Sequence, residues 1–186
     1  MVIVLTGTAV LTGGVLAIAN AVTEKAIASV QEKQLAEGIQ SVIGIDGLTI
    51  EQPKTVKKVF DGKEYEFVMH NAKNAIGDNV ATAVETTTQG FGGELKILVG
   101  FNSQGEITGY TLLKHSETPG LGAKADTWFQ KSGKGNVIGK HAGSLVTNKD
   151  QADSDSLKVD AITASTITSR AFLTAINQAY NVLIDN

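Results

Sequence analysis

The N-terminal segment of this chain carries no charge over a length that matches a membrane. Val2 to Val22 contains no Asp, Glu, Lys or Arg, and a helix of that length, at about 1.5 Å rise per residue, approaches the roughly 30 Å hydrocarbon thickness of a bilayer. Small residues recur at every fourth position from Ala9 to Ala21, so they share one helix face on which another helix can approach closely. The sequence therefore predicts a single transmembrane helix at residues 1–22.

Two other interpretations of this segment stay open. Ala19-Asn20-Ala21 has the small-x-small form of a signal-peptidase site, although no basic region precedes the apolar run and the run is longer than a usual signal-peptide core. A buried helix of a soluble protein is disfavoured because no polar face would meet water. Charge gives little information on orientation, since no Lys or Arg precedes the helix and Glu24 and Lys25 follow it.

The rest of the chain is expected to form a helical connection and one domain. Residues 23–45 contain apolar positions spaced as in a helix, from Ile27 to Val42, which predicts a juxtamembrane helix. Turn residues and Pro53 come next and argue against a central strand there. No repeat or low-complexity run interrupts the remainder of the chain. Residues 46–186 are therefore predicted to be a single domain.

Short segments of alternating apolar and polar residues predict antiparallel hairpins. One hairpin turns at Asp61-Gly62 and another at residues 102–105, both rich in turn-forming residues. A final helix is indicated by apolar positions from Ile167 to Leu183. This pattern predicts an α+β fold, a mainly antiparallel sheet with flanking helices. The predicted strands are Val56–Phe60, Tyr65–Met69, Val80–Thr88, Leu95–Phe101 and Ile107–Leu113.

Composition excludes several kinds of chemistry. The chain has no cysteine, which excludes disulfides, cysteine nucleophiles and thiolate-held iron–sulfur clusters. A net charge of -3 and a pI near 5.6 offer no basic surface for nucleic acid. The three histidines are scattered, so no metal site is expected. Gly133 to His141 lacks the spacing of a phosphate-binding or dinucleotide-binding loop, so we expect a flexible surface loop and no bound NADH.

Hydroxyl and carboxylate side chains are concentrated between Asp160 and Arg170, just before the last predicted helix. Such hydroxyls can cap the free N–H groups of a helix start. The same N–H groups, with the positive end of the helix dipole, can instead hold a phosphate. From these residues alone, an ordinary N-cap and a phosphate site both remain open.

This run resembles the flavinylation motif of the FMN-binding domain family, Asp-x-x-Ser/Thr-Gly-Ala-Ser/Thr-x-Ser/Thr. Ala164 replaces the usual Gly. A positive φ at this position, which Gly adopts freely, would be unfavourable for Ala. Ser165 replaces the usual Ala and adds a hydroxyl that could compete for attachment. The aspartate, the first hydroxyl, the acceptor hydroxyl and the last hydroxyl of the motif match Asp160, Thr163, Thr166 and Thr168.

Two upstream segments resemble the same family. Gly90-Phe91-Gly92-Gly93 is similar to its Gly-aromatic-Gly-Gly signature. His115 to Gly122 is similar to its His-x-Glu-Thr-Pro-Gly-Leu-Gly segment, which the resemblance places against the flavin. The resemblance runs from Gly90 to Arg170. The cofactor-binding residues it implies are Asp160, Thr163, Ser165, Thr166, Thr168, Glu117, Thr118, Gly120, Leu121 and Gly122.

Several side chains in these segments have more than one possible role. Glu117 could act as an acid or base, or accept hydrogen bonds from the backbone or a cofactor. Gly120 and Gly122 could let the backbone approach a flat ring, or form a tight turn. Trp128, with its neighbour Phe129, could shield a flavin face or pack in the core. Arg170 could neutralise a phosphate or face solvent.

The resemblance implies a function in electron transport. The acceptor Thr166 would carry FMN through a phosphoester bond made by a separate, magnesium-dependent flavin transferase that uses FAD. Within the family, the chain is similar to the G subunits of Rnf-type ion-translocating ferredoxin:NAD oxidoreductases. That similarity implies an electron-carrying subunit with no substrate site of its own, bound to other membrane and redox subunits. The implied location is the bacterial inner membrane, with a single pass and the domain on the extracytoplasmic side.

Two alternative functions remain open. The C subunit of the sodium-translocating NADH:quinone oxidoreductase shares the domain and the motif. A membrane-anchored flavin-binding module with a regulatory or structural role would need no electron transfer.

Overall fold

A long N-terminal helix, α1, runs from Val2–Ile43. The computed structural model describes residues 1–45 and 47–186, and only the backbone of residues 21, 24–29 and 31 within α1. The predicted transmembrane and juxtamembrane helices are thus one continuous helix. By length and composition, its portion Val2–Asn20 could cross a membrane. The chain forms two compact units, Met1–Ala36 and Glu37–Asn186.

Threonine side chains within the apolar part of α1, and at the position just after it, are satisfied by the helix itself. Each of these hydroxyls donates to a backbone carbonyl one turn earlier, an arrangement that leaves no free hydroxyl proton in an apolar environment. The residues are Thr6, Thr8, Thr12 and Thr23. The polar threonines are therefore compatible with a membrane-spanning helix.

The second unit is built on a six-stranded antiparallel sheet. Its strands are β1 Thr49–Ile50, β2 Lys54–Phe60, β3 Lys63–Lys73, β4 Asn79–Gln89, β5 Glu94–Asn102 and β6 Ile107–Lys114. The strand order is β1-β3-β4-β5-β6, and β2 also pairs with β3. Asp61 and Gly62 both adopt positive φ at the β2–β3 turn, which suits the twist of a tight hairpin. All five predicted strands are confirmed, and β1 is an additional short strand before Pro53.

The chain after β6 contains short elements and then a long helix. A 3-10 turn at Gly122–Lys124 leads into α2, Ala125–Trp128. Two further strands, β7 at Leu145–Thr147 and β8 at Leu157–Val159, pair in parallel and were not predicted. The final helix, α3 at Thr166–Ile184, is confirmed. The α+β prediction is therefore correct.

Helix α3 covers one face of the sheet and forms the core with it. Phe172 is fully buried and stacks on Phe129, with ring centroids 4.3 Å apart and planes at 9°. The ring of Tyr110 meets Phe172 edge-on at 4.8 Å. Truncating such a buried aromatic to alanine costs roughly 3–5 kcal/mol. In contrast, Ile167 was expected on the apolar face of the helix but is 53% exposed.

The end of α1 packs on the other face of the sheet. Two sheet glycines allow this approach, because a Cβ at Gly100 would lie 2.4 Å from the Val42 carbonyl oxygen and one at Gly109 would lie 2.9 Å from the Val42 Cα. The Thr108 hydroxyl donates to the same carbonyl at 2.5 Å. Ile39, Val42 and Ile43 are consequently buried.

The segment from Gly133 to His141 has no regular element but is not a surface loop throughout. Val137 is fully buried, and its N–H donates to the Phe129 carbonyl at 3.0 Å. A Cβ at Gly135 would lie 2.5 Å from the Asp160 carbonyl oxygen. The expectation of a flexible surface loop is wrong here, because these glycines allow close packing against the core.

Candidate functional site

A groove of about 380 Å³ lies beside the first turn of α3. It is formed by the β4–β5 turn, the segment after β6 and the start of α3. These are the segments in which the three sequence motifs occur. The lining residues are Phe91, Glu117, Thr118, Leu121, Gly122, Ala164, Ser165, Thr166, Ile167 and Thr168.

Glu117 connects the three segments through hydrogen bonds. Its side chain is buried, its Oε1 accepts from the Gly92 N–H at 3.1 Å and its Oε2 accepts from the Thr168 hydroxyl at 2.7 Å. The backbone N–H of Glu117 donates to Nδ1 of His115 at 3.3 Å. Buried carboxylates require such donors. Of the two roles considered for Glu117, this geometry supports that of a hydrogen-bond acceptor.

Glycines surround Glu117 because no larger residue would fit. A Cβ at Gly90 would lie 2.1 Å from Oε1 of Glu117, and one at Gly122 would lie 2.1 Å from its Oε2. A Cβ at Gly92 would lie 2.1 Å from the Ser116 carbonyl oxygen. Gly122 is therefore needed for packing against Glu117. Gly120 does not line the groove and adopts a φ of 76°, as glycines in tight turns do.

Helix α3 begins at Thr166 without a side-chain cap. Ser165 occupies the N-cap position but makes no capping hydrogen bond with its side chain. The first N–H groups of a helix have no acceptor within the helix, so they can bind an anion at this end. The interpretation of this run as an ordinary N-cap is therefore not supported.

Ser169, which sequence reasoning missed, fixes the loop before α3. Its hydroxyl accepts from the Ile162 N–H and donates to the Ser165 carbonyl, both at 2.9 Å. The Ser165 N–H in turn donates to the Ile162 carbonyl at 3.0 Å. A serine four residues after the N-cap can make this backbone contact, but the motif directs attention to the hydroxyls before it.

Ala164 adopts the left-handed backbone conformation that the usual motif glycine takes freely. Its φ is 60°, and this conformation costs an L-residue about 1–2 kcal/mol. Ala164 thus keeps the positive φ expected for the usual glycine, and the strain of that conformation lowers the stability of the folded chain.

Asp160 and Thr163 do not line the groove. The carboxylate of Asp160 accepts from the Asn148 side-chain amide at 2.6 Å, and its carbonyl accepts from the Trp128 indole at 2.8 Å. Thr163 is exposed. The fold therefore brings Glu117, Thr118, Leu121, Gly122, Ser165, Thr166 and Thr168 together, and leaves Asp160, Thr163 and Gly120 outside the groove.

The aromatic pair and the arginine near the motifs also lie outside the groove. Phe129 belongs to the core, and Trp128 packs against it. Arg170 pairs with Asp150, its Nε donating to the carboxylate at 2.7 Å. The Arg170 hydrogen bond lowers the pKa of Asp150, and the pKa of Arg170 is raised by the same contact. Neutralisation of a phosphate by Arg170 would require breaking this pair.

The groove suits a flat, largely apolar ligand with a phosphate. Phe91, Leu121 and Ile167 are 69%, 41% and 53% exposed, an unusual degree for large apolar side chains that line one cavity. Among the described residues that line it, none is Lys or Arg. FMN fits these features through its aromatic ring and its phosphate, with helix N–H groups in place of a cation. The described residues include no group of three or more His, Asp or Glu placed to hold a metal.

Comparison with known proteins agrees with this geometry. A family model for the FMN-binding domain matches residues 90–181. The G subunit of an ion-translocating oxidoreductase complex from Vibrio parahaemolyticus is 31% identical over 179 residues, covering 91% of this chain and 82% of that protein. The G subunit of the Na⁺-translocating ferredoxin:NAD⁺ oxidoreductase complex of Acetobacterium woodii is 37% identical over 149 residues, covering 78% of this chain.

The match to some relatives covers only part of their length. The chain spans 62% of the Acetobacterium woodii protein and 49% of a G subunit from Shewanella piezotolerans, to which it is 39% identical. A solved structure of the C subunit of Na⁺-translocating NADH-quinone reductase from Parabacteroides distasonis has a similar fold, with a TM-score of 0.54 and 18% identity, covering 83% of this chain and 90% of that one. The chain therefore belongs to the FMN-binding domain family, among relatives named as G subunits of ion-translocating oxidoreductase complexes.

Proposed function

We propose that this chain is a membrane-anchored electron-transfer subunit of an Rnf-type ion-translocating oxidoreductase, with FMN bound covalently to Thr166. The observation that carries the proposal is the uncapped start of α3, where Thr166 faces the groove. Residues 1–22 serve as the anchor, residues 23–45 as the connection and residues 46–186 as the FMN-binding domain. The domain lies on the extracytoplasmic side of the bacterial inner membrane.

The environments of the hydroxyls near the helix start favour Thr166. Thr168 and Ser169 are fully buried, and both hydroxyls are engaged, with Glu117 and with the backbone respectively. Thr166 and Ser165 are only partly buried and line the groove. Among the groove-lining hydroxyls at the start of α3, Ser165 is thus the competitor of Thr166.

The attachment step exchanges the phosphoanhydride bond of FAD for a phosphoester bond to the protein. The Thr166 Oγ bonds to the phosphorus of the FMN half of FAD, the pyrophosphate bond to AMP breaks, and the hydroxyl proton leaves. A magnesium-dependent flavin transferase would supply this chemistry. The carboxylate of Asp160 accepts a hydrogen bond from Asn148, so we assign it the role of fixing the loop before the motif and not that of activating Thr166.

The residues of the groove indicate why a covalent bond would be used. A free phosphate is usually held by Arg or Lys, and neither is present among the described lining residues. The N–H groups of the first turn of α3 would bind the phosphate, and Phe91, Leu121 and Ile167 would exclude water from the ring. When bound, FMN supplies reversible electron transfer. The phosphoester would keep it from being lost outside the cytoplasm.

The direct test is to express the chain with an active flavin transferase and locate any FMN adduct by peptide mass spectrometry. We expect the adduct on Thr166, its loss in Thr166→Ala and its retention in the matched control Ser165→Ala. An adduct that persists in Thr166→Ala, or that maps to Ser165, would contradict the assignment. The transferase must be shown to modify another substrate in the same cells.

A second test concerns the complex. The relatives named as G subunits support an Rnf-type assembly with other membrane and redox subunits. In native membranes, we expect the flavin of this chain to be reduced with ferredoxin as electron donor, and this signal to disappear in Thr166→Ala. A flavin that is reduced by NADH in a reaction that uses quinone as acceptor, and that ferredoxin does not reduce, would favour the C-subunit alternative. A flavin that neither donor reduces would favour a regulatory or structural module.

A further inference from the structure

We propose that Glu117 lowers the midpoint potential of the flavin carried in the groove, by holding a negative charge buried beside it. The inference deepens the proposed function and rests on it, because it requires a flavin tethered at Thr166. Glu117 acts here through its charge and its fixed position.

The charge of Glu117 is uncompensated within the groove. Both of its oxygens accept hydrogen bonds from neutral donors, the Gly92 N–H at 3.1 Å and the Thr168 hydroxyl at 2.7 Å. Hydrogen bonds accepted at both oxygens are the arrangement that stabilises a buried carboxylate. It is the sole charged side chain among the described residues that line the groove. The neutral donors stabilise this charge without cancelling it.

The carboxylate is also unable to swing into water. Its neighbours Gly90 and Gly122 approach so closely that a Cβ on either would lie 2.1 Å from a carboxylate oxygen. The Glu117 residue is 6% exposed, and its backbone N–H donates a hydrogen bond to Nδ1 of His115. Solvent and salt screen buried charges much less than exposed ones. The negative field of Glu117 therefore acts on whatever occupies the groove.

A fixed negative charge disfavours the addition of electrons to a neighbouring group. Glu117 should therefore make the tethered flavin harder to reduce than it would be beside a neutral residue. Glu117→Gln removes the charge with little change in shape. The glutamine oxygen can accept from the Gly92 N–H while its NH₂ donates to the Thr168 hydroxyl, so the packing of the site is kept.

The test is a spectroelectrochemical titration of the full chain in detergent, loaded with FMN by the transferase, with dithionite supplying the electrons through mediators. We expect the midpoint potential of Glu117→Gln to lie above that of the wild type. The matched control is Glu94→Gln, which removes the same charge from an exposed side chain paired with Lys114 at the start of β5. Its midpoint potential should equal that of the wild type, because water screens that charge.

Mass spectrometry of each sample separates the two proposals. A wild-type chain without an adduct overturns the proposed function and this inference together. An adduct-bearing Glu117→Gln with an unchanged or lower midpoint potential overturns this inference alone. If Glu117→Gln does not take up flavin, Leu121→Lys replaces it, since an ammonium group in the groove can pair with the carboxylate. A midpoint potential that does not rise in Leu121→Lys overturns the inference as well.

Discussion

Replacing Thr168 by valine measures what its hydrogen bond to Glu117 contributes to stability. Valine keeps the shape of threonine but removes the hydroxyl, so one oxygen of Glu117 loses its donor where Thr168 is 0% and Glu117 is 6% exposed. A hydrogen bond to a charged group contributes roughly 1.5–3 kcal/mol, and a buried carboxylate short of a donor loses at least that much. We expect the free energy of unfolding to fall by about 2–3 kcal/mol.

Thermal unfolding of the flavin-free full chain in detergent, followed by circular dichroism, is a suitable assay. At about 2–4 °C per kcal/mol for a chain of this size, the melting temperature should fall by roughly 4–12 °C. The control is Thr163→Val, because Thr163 is exposed in the loop just before α3. Exposed substitutions of this kind change stability by only about 0.5 kcal/mol.

Two results would refute this reasoning. The first is a melting temperature of Thr168→Val that equals that of Thr163→Val. The second concerns the same substitution in a Glu117→Gln background, where only a hydrogen bond between neutral groups is lost. In that background, Thr168→Val should lower the free energy of unfolding by less than it does in the wild-type background. An equal cost in both backgrounds would show that the charge of Glu117 does not strengthen the bond.

Backbone strain, helix packing and acid sensitivity give three further measurable outcomes. Ala164→Gly should raise the free energy of unfolding by about 0.5–1 kcal/mol in a urea titration, because relief of the left-handed strain exceeds the added backbone entropy; a decrease would contradict this. Gly100→Ala should lower it by roughly 1–3 kcal/mol, because its Cβ would meet the Val42 carbonyl; a stability equal to that of the wild type would contradict the packing of α1. Burial favours a higher pKa for Glu85, but hydrogen bonds from His70 and Lys96 bring the pKa below its ordinary value of 4.5. The stabilisation by Glu85 is therefore present above pH 4.5 and lost as the pH falls below it, so Glu85→Gln should show a shallower loss of melting temperature in acid than the wild type.

The sheet and the last helix could be predicted because their signals are local. Alternating residues on each side of Asp61-Gly62 specify the β2–β3 hairpin. The parallel pair β7–β8 could not be predicted, since each strand has three residues and shows no period. Similarly, the four-residue helix α2 is too short to have an apolar face.

The candidate site was predicted as three motifs but not as a connected structure. Gly92, Glu117 and Thr168 are far apart in sequence, and they meet only through the pairing of β5 with β6 and the packing of α3 on the sheet. The spacing of apolar residues placed Ile167 on the buried face, although its position at the helix start leaves it exposed in the groove. The partner of Arg170 could not be inferred either, because Asp150 lies in a loop whose path depends on β7 and β8.

The bonds around Ser169 have a consequence for motion near Thr166. The N–H groups of Ile162, Ser165 and Ser169 donate respectively to the Ser169 hydroxyl, the Ile162 carbonyl and the Ser165 carbonyl. Because these bonds share their atoms, the amide protons should exchange with solvent in one cooperative opening. Any enzyme that modifies Thr166 in the folded chain therefore meets an ordered helix start, and its rate cannot depend on a freely mobile peptide.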